Sequence, residues 1–409
     1  MKLKLIAMIL TISLCFALAA CGSGTTGAST TAVTVTSEPV AETTEAPEAA
    51  ATEEPAETEE PAATEETEEV LSVEEVFNLE EAENAYTPDT LVFNAGSVEI
   101  LWKDYYGAIA QVLYELNSYY GITDLNEEVQ EGMTIADWVR GWSEEYLRQL
   151  ALLHEKAEEL GIELTEEDQA LIEADIDEQA NTYFDGDREA LFAEMHVTEE
   201  LYRYQAEASM LYDKLFTYYF GEDGQDLSDE DAVAYVEDAG YLYAKHILWS
   251  FTDENGADLS DEEKEAARAQ AQEVLDELRA EDPANLGSAF DRMMEHYSAD
   301  PGLAAYPDGY YFQPGDMVAV FEDAATELAE GELSELVESD YGIHLLYRPA
   351  MDADHIFGYD SYSNAYTLRY LAANELFTNM ADEWMDQQTV EYAGDFENLD
   401  LIGLMSFTA

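Results

Sequence analysis

Cysteine is almost missing from this chain: its 409 residues include two, Cys15 and Cys21. A disulfide framework and a cysteine-ligated metal site therefore have nothing to build on. Positive charge is scarce as well, with 16 Lys and Arg against 92 Asp and Glu and a formal net charge of −76. No basic residue stands between Lys4 and Lys103. Phosphate recognition needs clustered Lys or Arg, so nucleic acid is excluded as a partner. The protein surface itself has no polybasic patch to draw it to anionic lipid. The carboxylates read first as a solvated, self-repelling surface, with diffuse binding of divalent cations as the functional alternative. The apolar run Leu5 to Ala17, behind Lys2 and Lys4, is too short for an ordinary membrane span and reads as a signal peptide over residues 1–20.

Leu18-Ala19-Ala20-Cys21-Gly22 follows that run. The small residues suit cleavage, and the pattern resembles the lipobox of bacterial lipoprotein precursors. The resemblance implies that Cys21 carries the lipid and that Cys15 leaves with the signal. From Gly22 to about Glu69 the chain is Thr, Glu, Ala, Pro, Ser, Val and Gly, without an aromatic or a base. Such a segment cannot bury enough apolar surface to offset its ordering entropy. Residues 21–88 are expected to form a disordered acidic linker whose low-complexity part, about 50 residues, would reach roughly 40 Å or more from the membrane.

Globular patterning begins near Leu91, with a hairpin or strand edge at Val92–Ser97. Helical spacing then predicts helices over about 99–120, from Thr134 to before Gly161, from Thr165 with a capping-box Asp168, from Thr198, and over 228–238. At Gly240 the period changes to two. Tyr241, Tyr243, Lys245, Ile247 and Trp249 alternate with Leu242, Ala244, His246 and Leu248, which predicts a strand. Ser260 with Glu263 opens a charged helix to about Ala280, and a second helix covers 288–296. Strands are expected at 309–312, 333–337 and 342–347, with a helix over 317–328 between the first two. After Pro349 the pattern is helical again, about 361–388. The order is helices, a compact insert, then helices: an α+β chain.

Four stretches of the insert belong together: Ala244-Lys245-His246-Ile247-Leu248, Tyr297-Ser298-Ala299-Asp300, Gly315-Asp316-Met317 through Ala324, and Val337-Glu338-Ser339-Asp340-Tyr341-Gly342-Ile343-His344. They resemble a parvulin-type peptidyl-prolyl isomerase domain almost end to end. The whole order resembles PrsA-type foldase lipoproteins and SurA-like chaperones, in which both flanks of the isomerase domain pack into one helical chaperone lobe. This implies a lobe from 89–239 and 351–409, and an isomerase domain over 240–350 with a small antiparallel sheet and surrounding helices.

The resemblance carries over residue by residue. Met317 and Phe321 correspond to the floor of the proline pocket, with Phe312 closing a wall; their i, i+4 spacing suggests one helix face. For a Met/Phe pair, plain core packing is the alternative. His246 and His344 correspond to the paired imidazoles, expected to orient a hydrogen-bond network on adjacent strands; either alone would read as a core histidine. Asp300 falls where relatives carry Cys or Asp beside the rotating carbonyl. Ser339 and Tyr341 are expected to bridge to the histidines. No cofactor and no metal are implied. One departure stands out: relatives read Gly-Asp-Leu-Gly-x-Phe where this chain reads Pro307-Asp308-Gly309-Tyr310-Tyr311-Phe312. The glycine is shifted, and Tyr310 stands where a small residue is expected. The implied function is isomerisation of X–Pro bonds in unfolded or folding exported polypeptides, with chaperone activity, by a protein lipid-anchored on the outer face of a cell membrane and suited to a Gram-positive wall. The alternative is a non-catalytic holdase, and whether the protein pairs as a homodimer is open. A basic cluster for phosphorylated clients is missing after Trp249.

Overall fold

The computed structural model describes residues 71–253, 255–359 and 365–407. The signal segment, Cys21 and the linker up to residue 70 lie outside the described residues. The chain divides into two compact units: one takes the described residues up to Leu215 and from Asn379 onward, the other is Phe216–Thr378.

The first unit is mainly helical. Its long helices are Trp102–Tyr120, Ile135–Leu160 and Glu166–Tyr183, followed by Arg188–Glu194 and the start of Glu199–Phe220. The caps explain the boundaries. Thr134 and Thr165 each accept from the backbone N–H three residues on, and Asp137 and Asp168 reach back to close the box. Gly121 and Gly161 end their helices in the left-handed region, with φ of 64° and 68°. The apolar stripes of these helices supply Ile109, Leu113, Leu147, Ile172 and Ile176 to the core, all buried. The first long helix begins three residues later than the periodicity suggests, because Val98–Leu101 pairs antiparallel with Leu91–Ala95 instead. Val390–Tyr392 adds the third strand on the other side of Leu91–Ala95.

Order begins earlier than composition indicates. Short helices Val73–Val76 and Leu79–Glu83 fall inside the stretch assigned to the linker. Val73, Phe77, Leu79 and Ala82 are buried; they are the first apolar side chains able to repay ordering after the acidic run. The Tyr106 hydroxyl donates to the Leu79 carbonyl, and the Trp102 indole N–H to that of Glu83.

The second unit is built on a four-stranded antiparallel sheet, in the order Tyr310–Phe312, Leu242–Ser250, Gly342–Tyr347, Val337–Glu338. Period-two alternation on the central strand gives the sheet two different faces. Ile247 and Trp249, with Ile343 and Leu345 of the neighbouring strand, pack on Ala271, Val274, Leu275 and Leu278 of helix Asp261–Arg279 and on Phe290 and Met294 of helix Leu286–Tyr297. Each such large apolar side chain contributes about 1.5–3 kcal/mol on burial. On the other face Ala244 and Leu346 pack with Phe312, Phe321 and Ala325.

This unit reaches beyond 240–350 at both ends. Helix Asp229–Asp238 shares a cluster with Tyr241, Ala353, Leu368, Leu371 and Ala372 through Ala232 and Val236. The nearly buried Arg369 guanidinium holds it, donating to Asp229, Asp354 and the Leu227 carbonyl. The pattern over 361–388 resolves into a strand, Ala365–Thr367, before helix Leu368–Gln387. The segment 351–409 therefore does not act as one returning piece: its first part folds with the sheet unit. Among the described residues, no helix is long and apolar enough to cross a membrane.

Candidate functional site

The pairing of the two central strands decides where the histidines go. Leu248 pairs with His344 and His246 with Leu346. On an antiparallel sheet this makes His246 and His344 diagonal neighbours on one face, opposite to the helix-covered one. Their rings are nearly parallel, with centroids 5.5 Å apart, and their Nδ1 atoms are 3.3 Å apart. Both residues are buried.

A chain of hydrogen bonds runs through them. His246 Nε2 is 3.0 Å from Asp300 Oδ2, and His344 Nε2 is 2.8 Å from Ser339 Oγ. An ionised carboxylate only accepts, so His246 carries a proton on Nε2; in the neutral ring Nδ1 is then bare. His344 then donates from Nδ1 and accepts from the Ser339 hydroxyl on Nε2. Neutral imidazoles therefore satisfy the whole run Ser339 → His344 → His246 → Asp300.

Asp300 is placed by its backbone. The Ala299 N–H donates to the Leu248 carbonyl and the Leu248 N–H to Ser298 Oγ, which zips the segment to the central strand. Asp300 caps the short helical turn Pro301–Ala304, accepting at Oδ1 from the Gly302 N–H at 3.1 Å. At Oδ2 it accepts from His246 and, at 2.6 Å, from the Tyr310 hydroxyl. Burial alone would raise its pKa; the donors from His246, Tyr310 and Gly302 outweigh it and hold the carboxyl down at about 2. His344 is also lowered, to about 4, first by burial and then by His246, against the opposing pull of Asp300.

Beneath the imidazoles lies an aromatic floor. The Phe321 ring meets His246 edge-on at 5.2 Å, His344 at 5.9 Å and Phe312 at 5.7 Å. Phe312 and Phe321 are buried, and Met317 is half-buried against the same cluster. The result is an apolar floor beside an imidazole pair whose ring nitrogens are all hydrogen-bonded, with one fixed carboxylate at its edge.

Residues 246–350 match the family model described as "Rotamase: PPIC-type PPIASE domain". This part of the chain is a PPIC-type rotamase domain. The foldase protein PrsA of Halalkalibacterium halodurans is 35% identical over 129 residues, which cover 30% of this chain and 32% of that protein. The match thus spans about a third of that curated relative's length. A peptidyl-prolyl isomerase of Theileria annulata, named buparvaquone-resistant and NIMA-interacting, is 34% identical over 87 residues, 21% of this chain and 60% of its own. Among solved structures, the PrsA peptidylprolyl isomerase of Bacillus cereus aligns with 69% of this chain and 98% of its own at 17% identity and a TM-score of 0.31.

Within the rotamase domain the structure brings together His246, His344, Asp300, Ser339, Phe321, Phe312 and Met317. Tyr341 stays apart. Its ring is 63% exposed, and its contribution is a backbone N–H donated to Ser339 Oγ. The expected bridge from its hydroxyl is replaced by this main-chain contact, because the turn at Gly342 faces the Tyr341 side chain toward solvent. Met317 is not on the pocket helix, which is Ala319–Glu327 with Val318 at its N-cap. It sits in the entry turn, where Glu322 accepts from the N–H groups of Gly315 and Met317 at 2.8 and 2.9 Å. That carboxylate, rather than an i, i+4 face, brings Met317 to the floor.

The shifted glycine has a backbone cause. Gly309 adopts φ +99°, and a Cβ there would lie 2.8 Å from the Ala244 carbonyl oxygen. Tyr310 then pairs with Ala244, two residues from His246 on the same face. Its hydroxyl bond to Asp300 went unseen in the sequence, where Tyr310 reads only as a departure from the small residue expected there. A feature of the helical unit also had no signal: a hollow of about 500 Å³ walled by His154, Ile162, Leu164, Glu207 and Leu211.

Among the described residues no group of three or more His, Cys, Asp and Glu is arranged to hold a metal ion.

Proposed function

We propose that this chain is an extracytoplasmic foldase whose rotamase domain speeds cis–trans isomerisation of X–Pro bonds in folding polypeptides, with Cys21 as its lipid anchor. The observation that carries the reading is the juxtaposition of the Phe321–Phe312–Met317 floor with the Ser339–His344–His246–Asp300 chain.

The uncatalysed barrier is about 18–20 kcal/mol and comes from C–N resonance. No bond has to form or break, so the site needs neither a nucleophile nor a proton acceptor. Twisting the amide removes its charge separation. An apolar floor under the proline ring stabilises that less polar state relative to the planar one. The imidazole pair, with every ring nitrogen in a hydrogen bond, presents a rigid wall that does not reorganise as the carbonyl turns. A fixed negative carboxylate at the edge disfavours the planar, charge-separated form of a carbonyl beside it.

The test is a protease-coupled assay on the purified chain, with peptides carrying uncharged residues before proline. Acceleration of the slow phase in proportion to protein concentration is expected. A folded chain that leaves the thermal rate unchanged overturns the enzymatic reading.

The second reading, a holdase, would use the open hollow at His154 in the helical unit, where Ile162, Leu164 and Leu211 stand among Glu158, Glu163 and Glu207. It predicts suppression of client aggregation without any change in isomerisation rate.

A further inference from the structure

Tyr310 and Gly302 face each other across the site, and each explains the other. Tyr310 is half-buried and directed at Asp300. Its ring lies 5.6 Å from that of His246 and 5.1 Å from that of Tyr306. On the facing turn is Gly302, where an added Cβ would collide with the Tyr310 hydroxyl oxygen and stand 3.5 Å from Asp300 Oδ1. The glycine at 302 therefore makes the room that the tyrosine at 310 fills. Gly302 also donates its N–H to the other oxygen of the same carboxylate.

The consequence is electrostatic as much as steric. Asp300 Oδ2 is shared by two donors, the His246 imidazole and the Tyr310 phenol, and Oδ1 is taken by the Gly302 N–H. Hydrogen bonds to an ionised acceptor are roughly twice as strong as neutral ones. The phenol bond draws charge from the oxygen that faces His246, so the proton on His246 Nε2 stays on the ring. The bare His246 Nδ1 toward His344 depends on that. Without the phenol, Oδ2 keeps one donor instead of two, the carboxylate loses its fixed orientation, and the contact that aims His246 at His344 loosens.

Building on the isomerase reading above, we propose that Tyr310, seated by Gly302, is a positioning residue: its hydroxyl fixes the Asp300 carboxylate and, through it, the orientation of the His246–His344 pair. The tyrosine that looks like an obstruction is thereby a working part of the site, acting through Asp300 and not on the substrate.

The test uses the purified full chain with Tyr310→Phe, Gly302→Ala and the double variant. Tyr310→Phe keeps the ring and removes only the donor. Two readouts are taken: isomerisation as kcat and KM over pH 4–9, and the Asp300 carboxyl carbon followed by NMR titration, with near-ultraviolet circular dichroism to check the fold. Tyr310→Phe is expected to lower kcat about five- to ten-fold with KM changed less than about two-fold, and to move both the acid limb of the rate profile and the Asp300 titration upward in pH. Gly302→Ala should displace the hydroxyl and give the same phenotype, and the double variant should be no worse than Gly302→Ala alone. An unchanged Asp300 titration in Tyr310→Phe overturns the proposal, as do fully additive losses. Should the wild-type chain prove folded yet inert, the isomerase reading fails by itself, and the Asp300 titration of wild type against Tyr310→Phe still decides whether Tyr310 sets the carboxylate.

Discussion

The Nδ1 atoms of His246 and His344 lie 3.3 Å apart, and one proton must serve both. The carboxylate of Asp300 on the far side of His246 and the hydroxyl of Ser339 on the far side of His344 decide that it rests on His344. Protonating His246 on Nδ1 as well would set two N–H groups against each other across that gap.

The first prediction follows from this. Burial holds His344 down at about 4 and its donors hold Asp300 at about 2, so the His344 step should lower isomerisation only as pH approaches 4. A histidine whose folded pKa is depressed binds its proton more readily when unfolded, at about 6.5. Stability should therefore rise with pH between about 4 and 6.5, and the part due to His344, on the order of 3 kcal/mol, should be lost on acidification through that window. The Asp300 contribution has the same sign but a lower window: present above about 3.9, lost as pH falls toward 2. Imidazole NMR titration together with denaturant melts at several pH values checks this. An activity midpoint between pH 6 and 7 assigned to His344 would contradict it.

The second prediction separates Ser339 from Tyr341. Ser339→Ala removes the donor to His344 Nε2 and the acceptor of the Tyr341 N–H. It should lower kcat/KM several-fold, about 1 kcal/mol. Tyr341→Ala removes an exposed ring and leaves the backbone N–H in place, so its effect on kcat should stay within about two-fold. Steady-state rates on one short peptide distinguish the two; equal losses would restore Tyr341 to the hydrogen-bond chain.

The third concerns the floor. Phe321 is 3% exposed and touches both imidazoles and Phe312. Phe321→Ala should cost about 3–5 kcal/mol of stability and abolish turnover. Met317 is only half-buried and held by the Glu322 turn. Met317→Ala should therefore raise KM while the denaturation midpoint hardly moves. A Met317→Ala variant destabilised as much as Phe321→Ala would place Met317 in the core and not in the floor of a binding cleft.

How much of this could be read from the sequence depended on the range of the signal. Capping boxes at Thr134, Thr165 and Ser260 involve residues three apart, and all three form. The alternation from Tyr241 to Trp249 likewise became a strand, Leu242–Ser250. The two histidines were legible through the resemblance of whole stretches, not through spacing, since 98 residues separate them. What the sequence concealed is register. The partnership of Tyr310 with Asp300 depends on Tyr310 pairing with Ala244, and Val390–Tyr392 joins a strand some 300 residues earlier. The early helices at Val73 and Leu79 were hidden for a different reason: four buried apolar residues follow an acidic run whose composition dominates any window that includes them.

The fourth prediction concerns attachment and rests on Leu18-Ala19-Ala20-Cys21. Cys21→Ala should leave the protein unprocessed or release it from membranes. Fractionation and lipid labelling in a bacterial host provide the check. A variant that is matured, labelled and membrane-bound like the wild type would remove the lipoprotein reading without touching the isomerase one.

The last prediction comes from charge. Asp308, Asp316 and Asp323 are exposed around the rotamase site, in a chain of net charge −76. Such a surface should attract basic unfolded chains and repel acidic ones, mainly through the association rate. The attraction between exposed charges is screened beyond about 8–10 Å at physiological salt. Affinity for a basic client should therefore fall as salt rises, while affinity for an acidic client should rise or stay flat. Apolar capture alone predicts a different pattern: two clients of matched hydrophobicity would bind alike, and salt would matter little or strengthen both. The measurement compares two such clients of opposite net charge, with association and dissociation rates taken at low and moderate salt. Equal association rates at both ionic strengths would show that the carboxylates serve solubility only, leaving the apolar floor at Phe321 and the hollow at His154 to select the client.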